Sequence, residues 1–211
     1  LICPETMPFI NRLAHRLYFE HDIARATKVI TNSHGTASRA QSLLNTHVDA
    51  VVTPGISKEF FPRDASQILA VRQKYNLSKP YILFIGTLEP RKNLSRLLDA
   101  FKLLREQENS ELTLALVGKR GWKNRDLEAQ LDQGIDGVFE LGYVPNEDLA
   151  ALYSGAEVFA LPSLYEGYGM PVAEARACGT RIVASDIPEL CEAGGTEGFY
   201  INPLSVEDLA Q

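Results

Sequence analysis

Short apolar runs rich in Val, Ile, Leu and Phe recur along this chain, and between them apolar residues return every three to four positions. The first pattern, with little polar alternation, marks strands covered on both faces, and the second marks amphipathic helices. Strands are predicted at Lys28 to Thr31, Ala50 to Thr53, Tyr81 to Ile85, Leu112 to Val117, Val138 to Leu141, Val158 to Leu161, Arg181 to Ala184 and Phe199 to Ile201. Helices fit the stretches between them. The alternation predicts an α/β fold on a Rossmann-like, doubly wound parallel sheet.

The pattern breaks between Thr53 and Pro62, where Pro54, Gly55 and Pro62 bracket a stretch with no clear period, and residues 54–62 are read as an interdomain linker. Residues 1–53 hold a helix, a strand, a second helix starting near Ser33 and another strand. That is too little for a domain, and it reads as the tail of an upstream α/β domain. Residues 63–211 supply six strands and end in a helical start from Ser205 to Gln211. The chain opens at Leu1 without an initiator Met, a basic leader or an apolar leader, so both ends are expected to be cuts in a longer polypeptide.

Composition narrows the function classes. With 45% hydrophobic and 23% charged residues the chain reads as an ordinary soluble protein, and no apolar run approaches the roughly 18 residues that span a bilayer. The net charge of −6 has the wrong sign for a main partner with a phosphate backbone. Cys3, Cys178 and Cys191 are odd in number and lack C-x-x-C spacing, as expected of structural thiols in a reducing cytoplasm. Of the histidines His15, His21, His34 and His47, the pair His21-Asp22 invites a catalytic reading, but a solvated or structural role is expected for it. No G-x-G-x-x-G or G-x-x-x-x-G-K-[ST] follows a strand, which argues against dinucleotide oxidoreductases and P-loop kinases.

The loop from Pro162 to Pro171 follows the strand ending near Leu161; Pro171 then opens a helix that Gly179 closes. Loops at the carboxyl ends of parallel strands are where open α/β sheets bind ligands, and a glycine-flanked helix start offers unpaired N–H groups to a phosphate. Glu166 and Glu174 flank this start. Two carboxylates beside a phosphate repel it unless hydroxyl donors occupy them, and a sugar nucleotide brings such donors in its ribose diol and its sugar. Taken alone, the pair is equally compatible with a helix-dipole role for Glu174 and a solvated Glu166.

A second loop, Gly86-Thr87-Leu88-Glu89-Pro90-Arg91-Lys92-Asn93, precedes an amphipathic helix running to about Arg105, with Asn93 as the expected N-cap. Arg91 and Lys92 then stand at the positive end of a helix dipole, which is unfavourable unless an anion is bound. A diphosphate would resolve the conflict; solvation of two surface cations is the alternative.

The stretches Ile85 to Asn93, Leu116-Val117-Gly118, Leu141 to Pro145 and Pro162 to Ser185, the last with E-x7-E spacing, resemble the GT-B glycosyltransferases of family 4. Ala26 to Ser33 resembles the close of that family's N-terminal domain. The resemblance implies the C-terminal, donor-binding half of a retaining GT-B glycosyltransferase. It implies that Glu174 holds the ribose, that Glu166 contacts the donor sugar, and that backbone N–H groups of Gly167, Tyr168, Gly169 and Met170 meet sugar hydroxyls and phosphate. Lys92 matches the family's phosphate lysine. Many members carry Arg after the glycine that ends the strand; here that position, after Gly86, is Thr87, and Arg91 is the candidate for the second positive charge.

Gly118 and the Tyr143-Val144 turn would lie beside the nucleoside, with main chain reading the base. Glu166, Arg91 and Lys92 are thus the catalytic candidates. No Asp-x-Asp occurs, so Arg91, Lys92 and the helix start after Gly169 are expected to take the place of a metal, and no cofactor is implied. The wording from Gly86 to Asn93 looks like mannosyltransferases using GDP-mannose, with UDP-sugars left open. The acceptor, a glycan or a lipid-linked glycan, and a family histidine would belong to the N-terminal domain, so this piece is expected to bind donor without transferring sugar. Localisation is read as cytoplasmic, with peripheral association at the inner membrane face allowed by lipid-linked acceptors among relatives. A nucleotide-sugar epimerase of related fold and a noncatalytic nucleotide-binding module remain as rival readings.

Overall fold

A computed structural model describes residues 18–108, 111–121 and 125–211. Cys3 and His15 lie outside the described residues. All eight expected strands form: β1 (Ile30–Thr31), β2 (Ala50–Val51), β3 (Tyr81–Ile85), β4 (Thr113–Val117), β5 (Val138–Gly142), β6 (Val158–Leu161), β7 (Ile182–Ser185) and β8 (Phe199–Ile201). Strands β1 and β2 pair with each other in parallel, while the other six make one parallel sheet in the order β5-β4-β3-β6-β7-β8.

Bounds shift where side chains claim the backbone. Strand β1 starts at Ile30 rather than Lys28 because Asp49 takes both the Lys28 ammonium, at 2.7 Å, and the Val29 N–H, at 2.9 Å. Strand β7 runs from Ile182 to Ser185, one residue past the expected span, because Ser185 pairs with Ile201 of β8.

The described helices are α1 (Glu20–Arg25), α2 (His34–Leu44), α3 (Ala65–Lys74), α4 (Leu94–Glu108), α5 (Arg125–Asp132), α6 (Asn146–Ser154), α7 (Met170–Ala177), α8 (Pro188–Gly194) and α9 (Val206–Ala210). Their starts follow local chemistry. Ser33 caps α2 by accepting from the Thr36 N–H at 3.0 Å, and Asp64 opens α3 with a capping box to Gln67. Helix α4 packs on α9, while α3, α6, α7 and α8 pack on one another in succession. Strand β4 is buried at all five positions, as a strand with both faces covered must be. The core is centred on Tyr81, Phe84, Leu98, Leu114, Tyr153 and Phe159. Each such apolar side chain contributes about 1.5–3 kcal/mol by leaving water.

Residues 54–62 form no helix or strand; Ile56 and Phe60 pack on the core, and the Phe60 ring meets Tyr153 edge-on with centroids 6.0 Å apart. His21 and Asp22 stand 3.6 Å apart on α1, both largely in solvent. No helix among the described residues is long and apolar enough to cross a membrane.

The sheet order places the site. From β3 the chain moves outward through β4 and β5, then returns to β6 on the other side of β3. The loops after β3 and β6 therefore leave in opposite directions and open a crevice above the carboxyl ends of the strands.

Candidate active site

Strands β3, β4 and β5 each end at a glycine with positive φ: Gly86 at 155°, Gly118 at 137° and Gly142 at 66°. The ladder continues across them, with Gly86 N–H donating to Val117 O at 2.9 Å and Gly118 N–H to Gly142 O at 2.8 Å. A Cβ on Gly118 would lie 2.0 Å from the Gly86 carbonyl oxygen, so two backbones meet where side chains would block them. Over Gly86 the space belongs to Lys92, whose Cε would be 3.4 Å from a Cβ there. The chain then passes Thr87 and enters a 3-10 turn, Pro90–Lys92, before α4.

This turn delivers Arg91 and Lys92 to the loop after β6. Lys92 Nζ donates to Glu166 Oε1 at 2.6 Å, and Ser163 Oγ donates to the same oxygen at 2.7 Å. Arg91 Nη1 donates to Glu166 Oε2 at 2.7 Å and to Tyr165 O at 2.8 Å, while its Nη2 binds the Glu89 carboxylate. The cluster is buried: Lys92 is 6% exposed, Glu166 7% and Glu89 5%. Lys92 and the half-buried Arg91 thus face two carboxylates buried from water, where an unpaired charge would cost several kcal/mol. Burial works to raise the Glu166 pKa, but Lys92 and then Arg91 outweigh it and hold the carboxyl below its ordinary range.

The structure therefore supplies an anion that the sequence reading did not. The helix start beside Arg91 and Lys92 is balanced by Glu166 and Glu89, and Glu166 accepts from both cations and from the Ser163 hydroxyl. The expected side-chain cap at Asn93 also changes. Asn93 adopts a left-handed conformation, φ 60°, and its side-chain oxygen accepts from Arg96 Nη1 at 2.8 Å. Its amide nitrogen ties down two other loops, donating to Pro162 O at 3.0 Å and Pro203 O at 2.7 Å.

Helix α7 begins after Gly169, φ 104°, where a Cβ would lie 2.5 Å from Leu190 Cδ2. Met170 is the first helical residue and Pro171 the second; Val172 and Ala173 N–H groups close the first turn on Gly169 O, at 2.9 and 3.2 Å. Gly167 O accepts from Ser33 Oγ at 2.6 Å and Thr36 Oγ1 at 2.9 Å, and Tyr168 packs half-buried on the core. One turn into α7, Glu174 accepts from the Tyr153 hydroxyl at 2.9 Å. Burial raises its pKa, and the Tyr153 bond works against that rise. At the end of β5 the turn divides its side chains: Val144 enters the core at 3% exposure, while Tyr143 is 69% exposed with Lys119 Nζ 5.8 Å from its ring centre.

The fold thus joins Gly86, Gly118, Arg91, Lys92 and Glu166 in one continuous set of contacts, with Thr87 in the connecting loop. Described contacts tie Gly167 to the N-terminal segment and Glu174 to Tyr153; they do not join Glu174, Tyr143 or Val144 to the ion cluster. Three participants went unread in the sequence: Ser163, Glu89 and Tyr153. A hydroxyl three residues before Glu166 and an acid two before Arg91 were the available signals, whereas nothing local links Tyr153 to Glu174. Among the described residues no group of three or more His, Cys, Asp or Glu is placed to hold a metal ion.

A family profile described as glycosyl transferases group 1 matches residues 66–211. The O-antigen chain mannosyltransferase B of Escherichia coli is 37% identical to this chain, over 99% of the chain and 56% of that protein. The serotype-specific mannosyltransferase WbdA of Escherichia coli is 28% identical over 99% of the chain and 28% of its own length. Among solved structures, sucrose-phosphate synthase of Thermosynechococcus elongatus superposes over 100% of this chain and 53% of its own, with a TM-score of 0.79 and 25% identity. The chain spans about half the length of the first of these relatives and about a quarter of the second.

Proposed function

The chain belongs to the glycosyl transferases group 1 family, and from that membership and the site geometry we propose that it is the donor-binding part of a retaining, metal-independent hexosyltransferase acting on a glycan or glycolipid acceptor. Mannose from GDP-mannose is the proposed donor, a choice supported by the two mannosyltransferases it resembles along nearly its whole length. In this reading residues 1–53 belong to the acceptor-side domain, 54–62 link the two domains, and 63–211 bind the nucleotide sugar.

The observation that carries the proposal is the Lys92–Glu166–Arg91 cluster at the mouth of the crevice, with Lys92 and Glu166 buried and Arg91 half-buried. Breaking a sugar–phosphate bond builds negative charge on the departing diphosphate, and fixed positive groups aimed at that charge lower the barrier. Glu166 holds two such groups in place at a site with little water to screen them. The diphosphate then competes with Glu166 for Arg91 and Lys92. Glu166, once drawn toward the sugar, accepts a hydroxyl, and Glu174 accepts the ribose hydroxyls beside the bond from Tyr153. Gly86, Thr87 and Gly118 form the floor under the phosphates and nucleoside. Tyr143 and Val144 border the base, while main-chain groups from Gly167 to Met170 meet the sugar and phosphate.

Calorimetric titration with GDP, GDP-mannose, UDP and UDP-glucose tests this directly. Binding of one nucleotide and its sugar, lost in the Arg91→Ala, Lys92→Ala double variant, is the expected result. Equal affinity of variant and parent would sink the phosphate assignment.

A further inference from the structure

The segment before the linker reaches into the candidate donor loop. Gly167 O, next to Glu166, accepts hydrogen bonds from the hydroxyls of Ser33 and Thr36, at 2.6 and 2.9 Å. From the same helix α2, Arg39 donates to both oxygens of Glu189, through Nε at 2.7 Å and Nη2 at 3.1 Å, and Glu189 is fully buried. The Arg39 guanidinium also lies 5.7 Å from the ring centre of Tyr165, and the His34 N–H donates to Glu192 Oε2 at 2.7 Å.

Helix α2 is shaped for this contact. Gly35 stands in its first turn, where glycine is a poor helix former, yet a Cβ there would lie 2.7 Å from Glu189 Cδ and 2.9 Å from Pro188 Cβ. The glycine permits the close approach that brings Arg39 onto Glu189. A bidentate pair on a buried carboxylate then fixes the register of α2 against α8. The loop from Tyr165 to Gly167 is consequently held from two sides. Arg91 binds Tyr165 O and Glu166 on one side, while Ser33 and Thr36 bind Gly167 O on the other.

We propose that Ser33 and Thr36 are positioning residues for the sugar end of the donor site, acting through the Gly167–Tyr168 peptide, with the Arg39–Glu189 pair as their anchor. The inference rests on the donor-site reading above. A trans peptide is planar, so fixing the Gly167 carbonyl also fixes the Tyr168 N–H, which points the opposite way. Phosphate and nucleoside contacts assigned to Lys92, Gly86 and Gly118 lie on the loops after β3 and β4, and the phosphate contacts assigned to the start of α7 follow Gly169, so neither set depends on this peptide, whose Tyr168 N–H is assigned to the sugar. The segment assigned to the acceptor side thereby becomes a determinant of how the transferred sugar is held.

The test compares nucleoside diphosphate with nucleotide sugar, using GDP against GDP-mannose and UDP against UDP-glucose, by calorimetric titration of the chain. The Ser33→Ala, Thr36→Val double variant is expected to lose about tenfold in affinity for the nucleotide sugar, the effect of one to two hydrogen bonds, with affinity for the diphosphate alone unchanged. Ser33→Thr and Thr36→Ser keep the hydroxyls and restore the parent's ratio. Gly35→Ala, which strengthens α2 as a helix while wedging it off Glu189, is expected to show the same selective loss, and it carries the test if the double variant does not fold. Equal weakening of both ligands, or no change in either, overturns the inference while leaving the donor site standing. A parent that binds neither diphosphate nor nucleotide sugar overturns the donor-site reading and this inference with it.

Discussion

At the carboxyl ends of the strands, Lys92 and Glu166 meet with 8% and 9% of their side chains exposed. At the amino ends, Lys79 and Glu111 meet at 3.3 Å with 48% and 79% exposed, and Arg105 pairs at 2.8 Å with an Asp136 that is 92% exposed. Those four residues border an open cleft at the foot of β4 and β5, and each charge there has water as an alternative partner. The chemistry of the pairs is alike; the solvent around them is not. Burial makes removal of one partner costly at the upper edge, whereas at the lower edge water replaces whatever is lost.

Lys92→Ala should produce the largest break in this contrast. It removes one cation from a buried carboxylate and is expected to cost about 3–5 kcal/mol in urea unfolding, together with nucleotide binding. Gly118→Ala comes next, at about 3 kcal/mol by the same measurement, because its Cβ would collide with the Gly86 carbonyl at a backbone angle unsuited to side chains.

Acid should sharpen the contrast further. Glu166 is held below its ordinary value of 4.5, so its stabilising contribution is complete above that value and is lost as pH falls through its folded pKa. Glu166→Gln should flatten that part of the urea midpoint against pH. Glu174 has the opposite sign. Its folded pKa is raised, so stability falls as pH rises from the ordinary 4.5 through the folded value, and Glu174→Gln should remove that decline.

Tyr153→Phe, which takes away the hydroxyl bonded to Glu174, should cost about 1 kcal/mol in urea unfolding. Glu111→Ala at the lower edge should change stability by less than about 0.5 kcal/mol and leave nucleotide titrations unaltered. A large effect there would erase the distinction between the edges.

Much of this frame was legible in the chain. Runs such as Tyr81 to Ile85 and Val158 to Leu161 declare buried strands by composition, and Gly169, Pro171 and Gly179 announce the limits of α7. Arg91, Lys92 and Glu166 were readable as residues of interest because each stands just past a strand. Their mutual pairing was not, since Lys92 and Glu166 are 74 positions apart and only the return of β6 beside β3 joins them. The contacts of Glu174 with Tyr153 and of Gly167 with Ser33 depend likewise on tertiary placement. Asn93 misled for the same reason: its sequence position suits a cap, but its side-chain amide found the carbonyls of two distant loops instead.

That choice of partners by Asn93 bears on when the site can come into being. The carbonyls it binds, Pro162 and Pro203, follow it by 69 and 110 positions. A chain leaving the ribosome at about 5–20 residues per second exposes Asn93 several seconds before Pro203. Helix α4 can coil early from local contacts, but the turn bearing Lys92 gains its second tether only when the last strand has been made. The turn bearing Arg91 and Lys92 is thus among the first parts of the six-stranded sheet region to be synthesised and among the last to be locked.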